Sequence, residues 1–317
     1  MGAVRIRPHS AASFSPRKAQ PMSRSRRGWA RPSGLAPVAW LAIGLYIAFL
    51  LYPIASSLLT SFTDRNPLRA ESTFIGLDNY RQLFADPRLL ASLRFTIVVV
   101  IAVTIASNVI GLGFAMLLNR PSIGYRVMRT LIFIPQVLSG VIVAFIWRSI
   151  LTQNGLLNTF LRSIGLADQP ISWIGTPDLA LLSVCVVVSW ATIAFATVVY
   201  VAALQSVPGE LYEAARMDGA TAVGRFRFVT LPMIAPGMTI SIVLCLITTF
   251  KLYDVIAVLT GGGPANSTQT TAFYLITVAF TTNRFGYASA IAIFLLVVTT
   301  VIAYSLTGLL RRREADL

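Results

Sequence analysis

Six long apolar runs, at roughly residues 37–59, 95–118, 130–151, 179–204, 236–259 and 288–310, decide what this chain can become. About 20 residues of helix cross a hydrocarbon core of roughly 30 Å, and inside that core each backbone N–H and C=O must find a partner within the protein. Runs of this length predict helices, and the class expected is an all-α membrane protein with six transmembrane helices. Only 12% of the 317 residues are charged, about half of what a water-soluble domain carries. Lipid must therefore cover much of the surface.

An even number of spans puts both termini on one side, and the basic residues say which. Eight lie before residue 37, Arg120, Arg126 and Arg129 lie in the 119–129 loop, three lie in the 205–235 loop, and Arg311, Arg312 and Arg313 close the chain. These make 17, against 7 in the loops of the other face. Both termini and the 205–235 loop are expected in the cytoplasm. Residues 1–36, rich in Arg, Ser and Pro, predict a basic disordered cytoplasmic tail. Residues 37–310 form the six-helix domain, and 311–317 a short cytoplasmic C-terminus. The first run is too long for a signal peptide and lacks a convincing cleavage site, so it is expected to stay as a helix. The net charge of +14 sits in the tail and beside the spans, which suits anionic headgroups rather than nucleic acid.

Several activities fall away on residue inventory. His9 is the only histidine and Cys185 and Cys245 lie in predicted spans, where a free thiol acts as a small hydrophobe. No disulfide framework, metal site or histidine-based catalysis is expected. Lys18 and Lys251 are the only lysines, and neither follows the glycines of a phosphate-cradling GxxxxGK[ST] loop. The chain is thus expected not to be its own ATPase. ATP-driven work would need nucleotide chemistry on another chain.

The polar stretch 213–232, EAARMDGATAVGRFRFVTLP, is the most informative one outside the runs. Pro208 can open a helix, with Glu210 and Glu213 toward its positive N-terminus. Leu211, Ala214 and Ala215 offer a small apolar strip, and Gly219 can take positive φ at the helix end. A second short helix is expected over 220–229, with Leu231-Pro232 and Pro236 stiffening entry into the fifth span. The product is a helix–Gly–helix knob tied to a transmembrane helix.

Glu213-Ala214-Ala215, three residues, Gly219, nine residues, Val229, one residue, Leu231-Pro232 resembles the EAA loop of ABC importer permeases, with Val229 for the usual Ile. In that family the loop docks the membrane subunit on a separate ATPase, which assigns ATPase coupling to Glu213, Ala214, Ala215, Gly219, Val229, Leu231 and Pro232. FIGLDNYRQLF at 74–84, VLTGGGP at 258–264 with ANSTQT after it, and the stretch around Phe285–Ala290 are similar to the carbohydrate-uptake branch, in particular its maltose-type first permease subunit. The likeness runs over nearly all of 37–310, with a permease core of about 91–306. It implies the type I ABC importer transmembrane fold in a bacterial-type cytoplasmic (inner) membrane. Implied partners are a second homologous permease, two ATPase subunits that hold the ATP and Mg, and an external solute-binding protein. The implied function is half of the translocation path for a sugar or related polar solute, which makes the chain a transport subunit and no enzyme, with no catalytic residue and no cofactor bound by this chain. Glycerol phosphate importers share these motifs, and a secondary transporter is the other mechanism weighed. Such a transporter should show broken helices and a mid-membrane acid, for which Asp254 is a poor candidate. An intramembrane enzyme would need a catalytic pair that the spans lack.

Polar residues inside spans are costly and usually face a cavity or a partner. Lys251 and Asp254, three apart in the fifth run, share a helix face and can pair. They either fix that helix end or line the solute path. Trp190, Thr192, Thr248 and Thr249 can offer a stacking face and hydrogen bonds to a sugar, or can pack and bond their own helix. In the first external loop, 77, 80, 83 and 84 are apolar at helical spacing with Asp78 as N-cap, a short helix that is either a lid over the helix ends or a landing surface. Gly261-Gly262-Gly263-Pro264 alone reads as a flexible turn. Ser107, Gly111 and Ala115 permit close helix contact inside the bundle or with a second subunit.

Overall fold

The computed structural model describes residue 2, residues 36–119 and residues 122–315. The predicted tail with His9 and Lys18, together with Arg120, falls outside the described residues, as do residues 316 and 317. Among the described residues, fourteen α-helices are numbered in chain order: α1 (Ala36–Tyr46), α2 (Tyr52–Thr60), α3 (Asp78–Ala85), α4 (Pro87–Leu118), α5 (Ile123–Val137), α6 (Gly140–Leu151), α7 (Leu156–Ser163), α8 (Pro177–Gln205), α9 (Gly209–Met217), α10 (Ala222–Arg225), α11 (Leu231–Phe250), α12 (Asp254–Leu259), α13 (Thr271–Phe280) and α14 (Phe285–Ala315). Among the described residues the only extended pairing is one antiparallel bridge between Thr63 and Phe74.

Among the described residues, six segments are long and apolar enough to cross a membrane: Pro37–Thr60, Pro87–Leu118, Gly140–Ser163, Pro177–Gln205, Ala222–Phe250 and Phe285–Arg312. The expected number is met, but two of the expected spans are not single helices. The run 130–151 breaks at Leu138, which is extended (φ −78, ψ 142), and α6 restarts with the Ser139 hydroxyl accepting the Ile142 N–H at 3.4 Å. Pro135 inside α5 removes a helical hydrogen bond just upstream. The run 236–259 breaks after Phe250, and Asp254 opens a separate α12. Hydropathy averages over both breaks, because the residues that make them are flanked by apolar ones.

The segments Met1–Leu50 and Leu51–Leu317 are two units. In the first, the described helix α1 leads into a π-helical turn that begins at Ile47. In the second, α4, α8 and α11 pack closely. A Cβ placed at Gly111 would lie 2.7 Å from the Ala196 Cβ and 3.1 Å from the Thr197 N, and one at Gly237 2.6 Å from the Ala203 Cβ. Ser107, Gly111 and Ala115 are buried on this contact, so the small-residue stripe serves packing within the bundle.

The end of the bundle at which α4 and α14 begin is closed by α3 and the segment before it. Asn79, 4% exposed, donates to the Ser61 and Thr63 carbonyls at 2.8 and 2.9 Å. Leu83 packs with Leu89, Tyr274, Tyr287 and Ile291. The lid reading fits these contacts. The expected apolar face is narrower than its sequence spacing implies, since Leu77 and Phe84 are exposed. Asp78 is the first helical residue rather than the cap: Leu77 holds the cap position, and Asp78 pairs with Arg81 at 3.2 Å.

Asp86, which has no place in any of the sequence patterns, ties this end together. As N-cap of α4 it accepts from the N–H groups of Arg88 and Leu89, and its other oxygen accepts from the hydroxyls of Tyr274 and Tyr287, both at 2.7 Å. Burial opposes its charge, but these four donors outweigh burial and hold the carboxyl below its ordinary range. A depressed pKa means that the stabilisation is present above the unfolded value and is lost as pH falls through the folded one. Asp86→Ala removes a cap and leaves two tyrosine hydroxyls short of an acceptor. It should cost about 2–5 kcal/mol locally, read as a lower thermal midpoint at neutral pH in detergent. That deficit should shrink as pH drops below the ordinary carboxylate range.

Candidate functional site

The knob at 205–235 begins where α8 ends. Ser206 closes α8, and Pro208 precedes α9, whose first turn carries Glu210. The end of α9 explains the residue spacing. Gly219 stands at φ +76; its N–H donates to the Arg216 carbonyl at 3.0 Å, and the Ala220 N–H donates to the Ala215 carbonyl at 2.9 Å. This pair is the Schellman arrangement, in which the left-handed residue must come four after the accepting one. Ala215 and Gly219 are therefore fixed relative to each other by one hydrogen-bonded turn.

Beyond Ala220 the chain departs from the expected second short helix. Thr221 caps α10 by accepting the Gly224 N–H at 3.2 Å, and a π-helical turn (Phe226–Thr230) then joins α10 directly to α11. The Leu231 N–H reaches back to the Phe226 carbonyl, the five-residue step of a π turn. Pro232, in the first turn of α11, has no N–H to give the Phe228 carbonyl, and the wider turn accommodates that loss. The knob thus runs on into one continuous helical stretch, Ala222–Phe250.

Three further bonds lock it. The Arg225 guanidinium donates to the Ala220 carbonyl at 2.9 Å, the Thr230 hydroxyl contacts the Arg225 carbonyl at 3.4 Å, and the Tyr212 and Thr230 hydroxyls meet at 3.2 Å. Tyr212 and Leu231 pack on a buried cluster of Tyr200, Val201, Leu204, Val207 and Ile234. Glu213 and Ala214 stay exposed, and Val229, Leu231 and Pro232 are half-buried. Met217, Val223 and Phe228 expose 89%, 74% and 75% of their surface, three large apolar side chains left open on the knob. Tyr212, Arg225 and Thr230 were not singled out in the sequence. A hint was available, since Tyr212 and Thr230 directly adjoin the Glu213 and Leu231 of the spacing pattern.

The second feature is a cavity of about 400 Å³ lined by α5, α6, α8, α11 and α12. It gathers four of the six predicted path residues, Thr192, Thr248, Thr249 and Asp254, with Gln136 and Phe195. Each threonine hydroxyl donates to its own helix, to Val188 at 2.7 Å, Leu244 at 2.8 Å and Cys245 at 2.8 Å. Their oxygens keep lone pairs to accept from a guest. The Asp254 carboxylate lies against Gly140, where a side chain would collide with it. Gln136 and Gly140 were missed, because their place depends on the break between α5 and α6.

The other two path residues lie elsewhere. Trp190 packs edge-on against Trp147 with centroids 5.7 Å apart, and it lines a separate recess with Phe114 and Pro135. Lys251 lines a groove between α11 and α14 with Leu295, Thr299, Ala303 and Tyr304. The expected pairing of Lys251 with Asp254 is overturned. No ion pair joins them, because the helix ends at Phe250 and the intervening turn sends them to different cavities.

The Gly-rich turn is also more ordered than a flexible one. Gly261 and Gly262 take positive φ, and the Thr268 hydroxyl donates to the Gly263 carbonyl at 2.6 Å and to the Thr260 hydroxyl at 2.8 Å. Thr270 donates to the Leu252 carbonyl at 2.6 Å. These bonds anchor α12 and support Asp254.

Residues 107–315 match the family described as binding-protein-dependent transport system inner membrane component. The chain is 32% identical to the probable starch degradation products transport system permease protein of Thermoanaerobacterium thermosulfurigenes, over 86% of this chain and 91% of that one. It is 32% identical to the trehalose/maltose transport system permease protein of Thermococcus litoralis, over 84% and 90%, and 32% identical to the lactose transport system permease protein of Rhizobium radiobacter, over 83% and 89%. Among solved structures, a chain of the bacterial alginate ABC transporter in complex with alginate pentasaccharide-bound periplasmic protein superposes with a TM-score of 0.78 at 23% identity, over 88% of this chain and 94% of that one. That likeness concerns the fold.

Proposed function

We propose, from the premise that this chain belongs to the family of binding-protein-dependent transport system inner membrane components, that it forms half of an import path for a sugar or a related polar solute. The chain is a multi-pass membrane permease subunit of an ABC importer, and ATP hydrolysis lies on a separate subunit. In our reading it pairs with a second, homologous permease, and two ATPase subunits carry the ATP and Mg. An external binding protein delivers the solute, both termini face the cytoplasm, and the ATPases hold the knob. The residues proposed for coupling are Glu213, Ala214, Ala215, Gly219, Val229, Leu231 and Pro232. The residues proposed for the solute path are Thr192, Thr248, Thr249 and Asp254, now with Gln136.

The observation that carries this reading is the exposed, hydrogen-bond-locked knob continuous with the helix that bears Thr248 and Thr249. A sugar suits the cavity because each hydroxyl can donate to a threonine lone pair or to Asp254, while Phe195 and Leu252 offer apolar surface to a ring. The names of the starch-product, trehalose/maltose and lactose relatives support the same solute class.

The test combines composition with topology. Affinity purification of the tagged chain from native membranes should bring down an ATPase and a second permease, and labelled maltose or lactose uptake should disappear on deletion of the chain. Reporter fusions at Leu317 and Gly262 should report opposite sides, with Leu317 cytoplasmic. A chain that purifies alone and whose deletion leaves sugar uptake intact would sink the assignment.

A further inference from the structure

At the end of the bundle opposite the knob, a recess of about 330 Å³ opens between the 64–69 segment, α3 and the first turn of α14. Arg65, Arg69 and Arg284 line it, with Asn66, Gln82 and the acids Asp64 and Asp78. Neither acid forms a salt bridge with these arginines, although Asp64, held below its usual range first by the Thr73 N–H, also feels the charge of Arg69. Asp64 accepts the Thr73 N–H at 2.6 Å, and Asp78 makes its ion pair with Arg81, outside the recess. None of the three arginines has a carboxylate within ion-pair distance.

The walls are built rather than loose. The Gly286 N–H donates to the Arg65 carbonyl at 3.0 Å, and a side chain at 286 would strike the Thr63 carbonyl. Buried Asn79 bonds the Ser61 and Thr63 carbonyls from below, and Asn66 turns the chain by accepting the Leu68 N–H at 2.9 Å. Arg284 is held in place. It donates to Gln82 Oε1 at 2.6 Å and lies 4.8 Å above the Tyr287 ring. A guanidinium fixed in this way and left without an acid is prepared for a planar, bidentate anion.

We infer that this recess is a docking socket for a carboxylate-bearing surface of the solute-binding protein; the inference rests on the importer reading. The location selects that occupant over the solute. No element that lines the recess contributes to the cavity of Gln136, Thr192 and Asp254, so a solute held here would be off the path. A partner surface can reach it, because Arg65, Arg69 and Arg284 are exposed. Long-range attraction between these arginines and an acidic rim raises the rate of encounter and makes it sensitive to salt.

The experiment uses the assembled transporter in nanodiscs and the purified solute-binding proteins encoded in the same genome. ATP hydrolysis is measured against the concentration of each. For the one that stimulates the natural chain, the double variant Arg69→Glu/Arg284→Glu should need about tenfold more binding protein for half-maximal stimulation, as expected for reversed interfacial charges. Its maximal rate should be unchanged and its salt dependence weaker. Arg69→Glu alone, which leaves the Arg284–Gln82 bond intact, should shift in the same direction. Arg162→Glu, on α7 away from the recess, should titrate like the natural chain. Stimulation curves for both recess variants that overlay the natural one would overturn the socket and leave the importer reading standing. Failure of every binding protein to stimulate the natural chain would overturn both. Loss of galacturonate uptake with maltose uptake retained would assign the recess to solute and overturn docking.

Discussion

Replacing Gly219 by valine is expected to abolish sugar uptake while leaving the chain in the membrane at near-normal abundance. No atom lies within 4 Å of where a Cβ at this position would sit, so the damage is conformational rather than steric. At φ +76 a β-branched residue is strongly disfavoured, and even an ordinary L-residue gives up about 1–2 kcal/mol. The chain can escape only by moving φ, which breaks the Gly219–Arg216 and Ala220–Ala215 bonds that set α9 against α10. The Tyr212–Thr230 contact then loses its geometry, and the exposed Met217, Val223 and Phe228 shift relative to one another. ATPase co-purification should fall at least tenfold. Gly219→Asn, which tolerates the left-handed region, should keep most attachment and uptake. Measuring abundance, attachment and uptake on both variants separates loss of coupling from loss of folding. A valine variant with normal uptake and normal attachment would remove this loop from the mechanism.

Gly111→Leu is expected to do the opposite, removing the protein from the membrane with the knob untouched. A Cβ here already lies 2.7 Å from the Ala196 Cβ and 3.1 Å from a backbone nitrogen of α8, and backbone gives way far less readily than a side-chain tip. Overpacking at an ordinary core site costs about 1–3 kcal/mol, and a leucine driven between two helix backbones should reach the top of that range. Changes of about 1–2 kcal/mol alter cellular abundance several-fold, so immunoblots of membrane fractions should show a marked loss. Gly113→Leu, two residues along where no atom lies within 4 Å, is the matched control and should accumulate normally. Equal abundance of the two variants would mean that α4 and α8 do not meet closely at Gly111.

The sequence made the spans and the knob readable for different reasons. Length and apolarity of the runs are enough for lipid to impose helices, so the number of crossings could be counted from composition. The knob was readable because its specified residues lie within one local stretch, and the Ala215-to-Gly219 interval encodes a single turn. What escaped reading depends on contacts made at long range. Asp86 meets Tyr274 and Tyr287 across roughly two hundred residues of chain, and no local pattern announces such a bond. Lys251 and Asp254 looked like helix neighbours because a hydropathy window carries on through Lys251, Leu252 and Tyr253, where the backbone turns away. Gln136 joined the cavity only through the break beside Ser139, and Trp190 left the proposed path because Trp147, on another helix, offered it an edge.

The uninterrupted stretch from Ala222 to Phe250 has a mechanical reading. At about 1.5 Å per residue it is a rod of roughly 43 Å, with the knob at one end and Thr248 and Thr249 near the other. It comes close to α8 at Gly237, where an added Cβ would lie 2.6 Å from the Ala203 Cβ, about 22 Å from the first end and about 20 Å from the second. Such a rod, pivoting there, is a first-class lever with nearly equal arms. Pro236 removes one hydrogen bond beside the fulcrum, but the helix runs on through it, so the two arms turn as one piece. The mechanical gain is then close to one. Under the coupling proposed above, a rod of this shape would carry a displacement of the knob to the cavity end at about the same size and in the opposite sense.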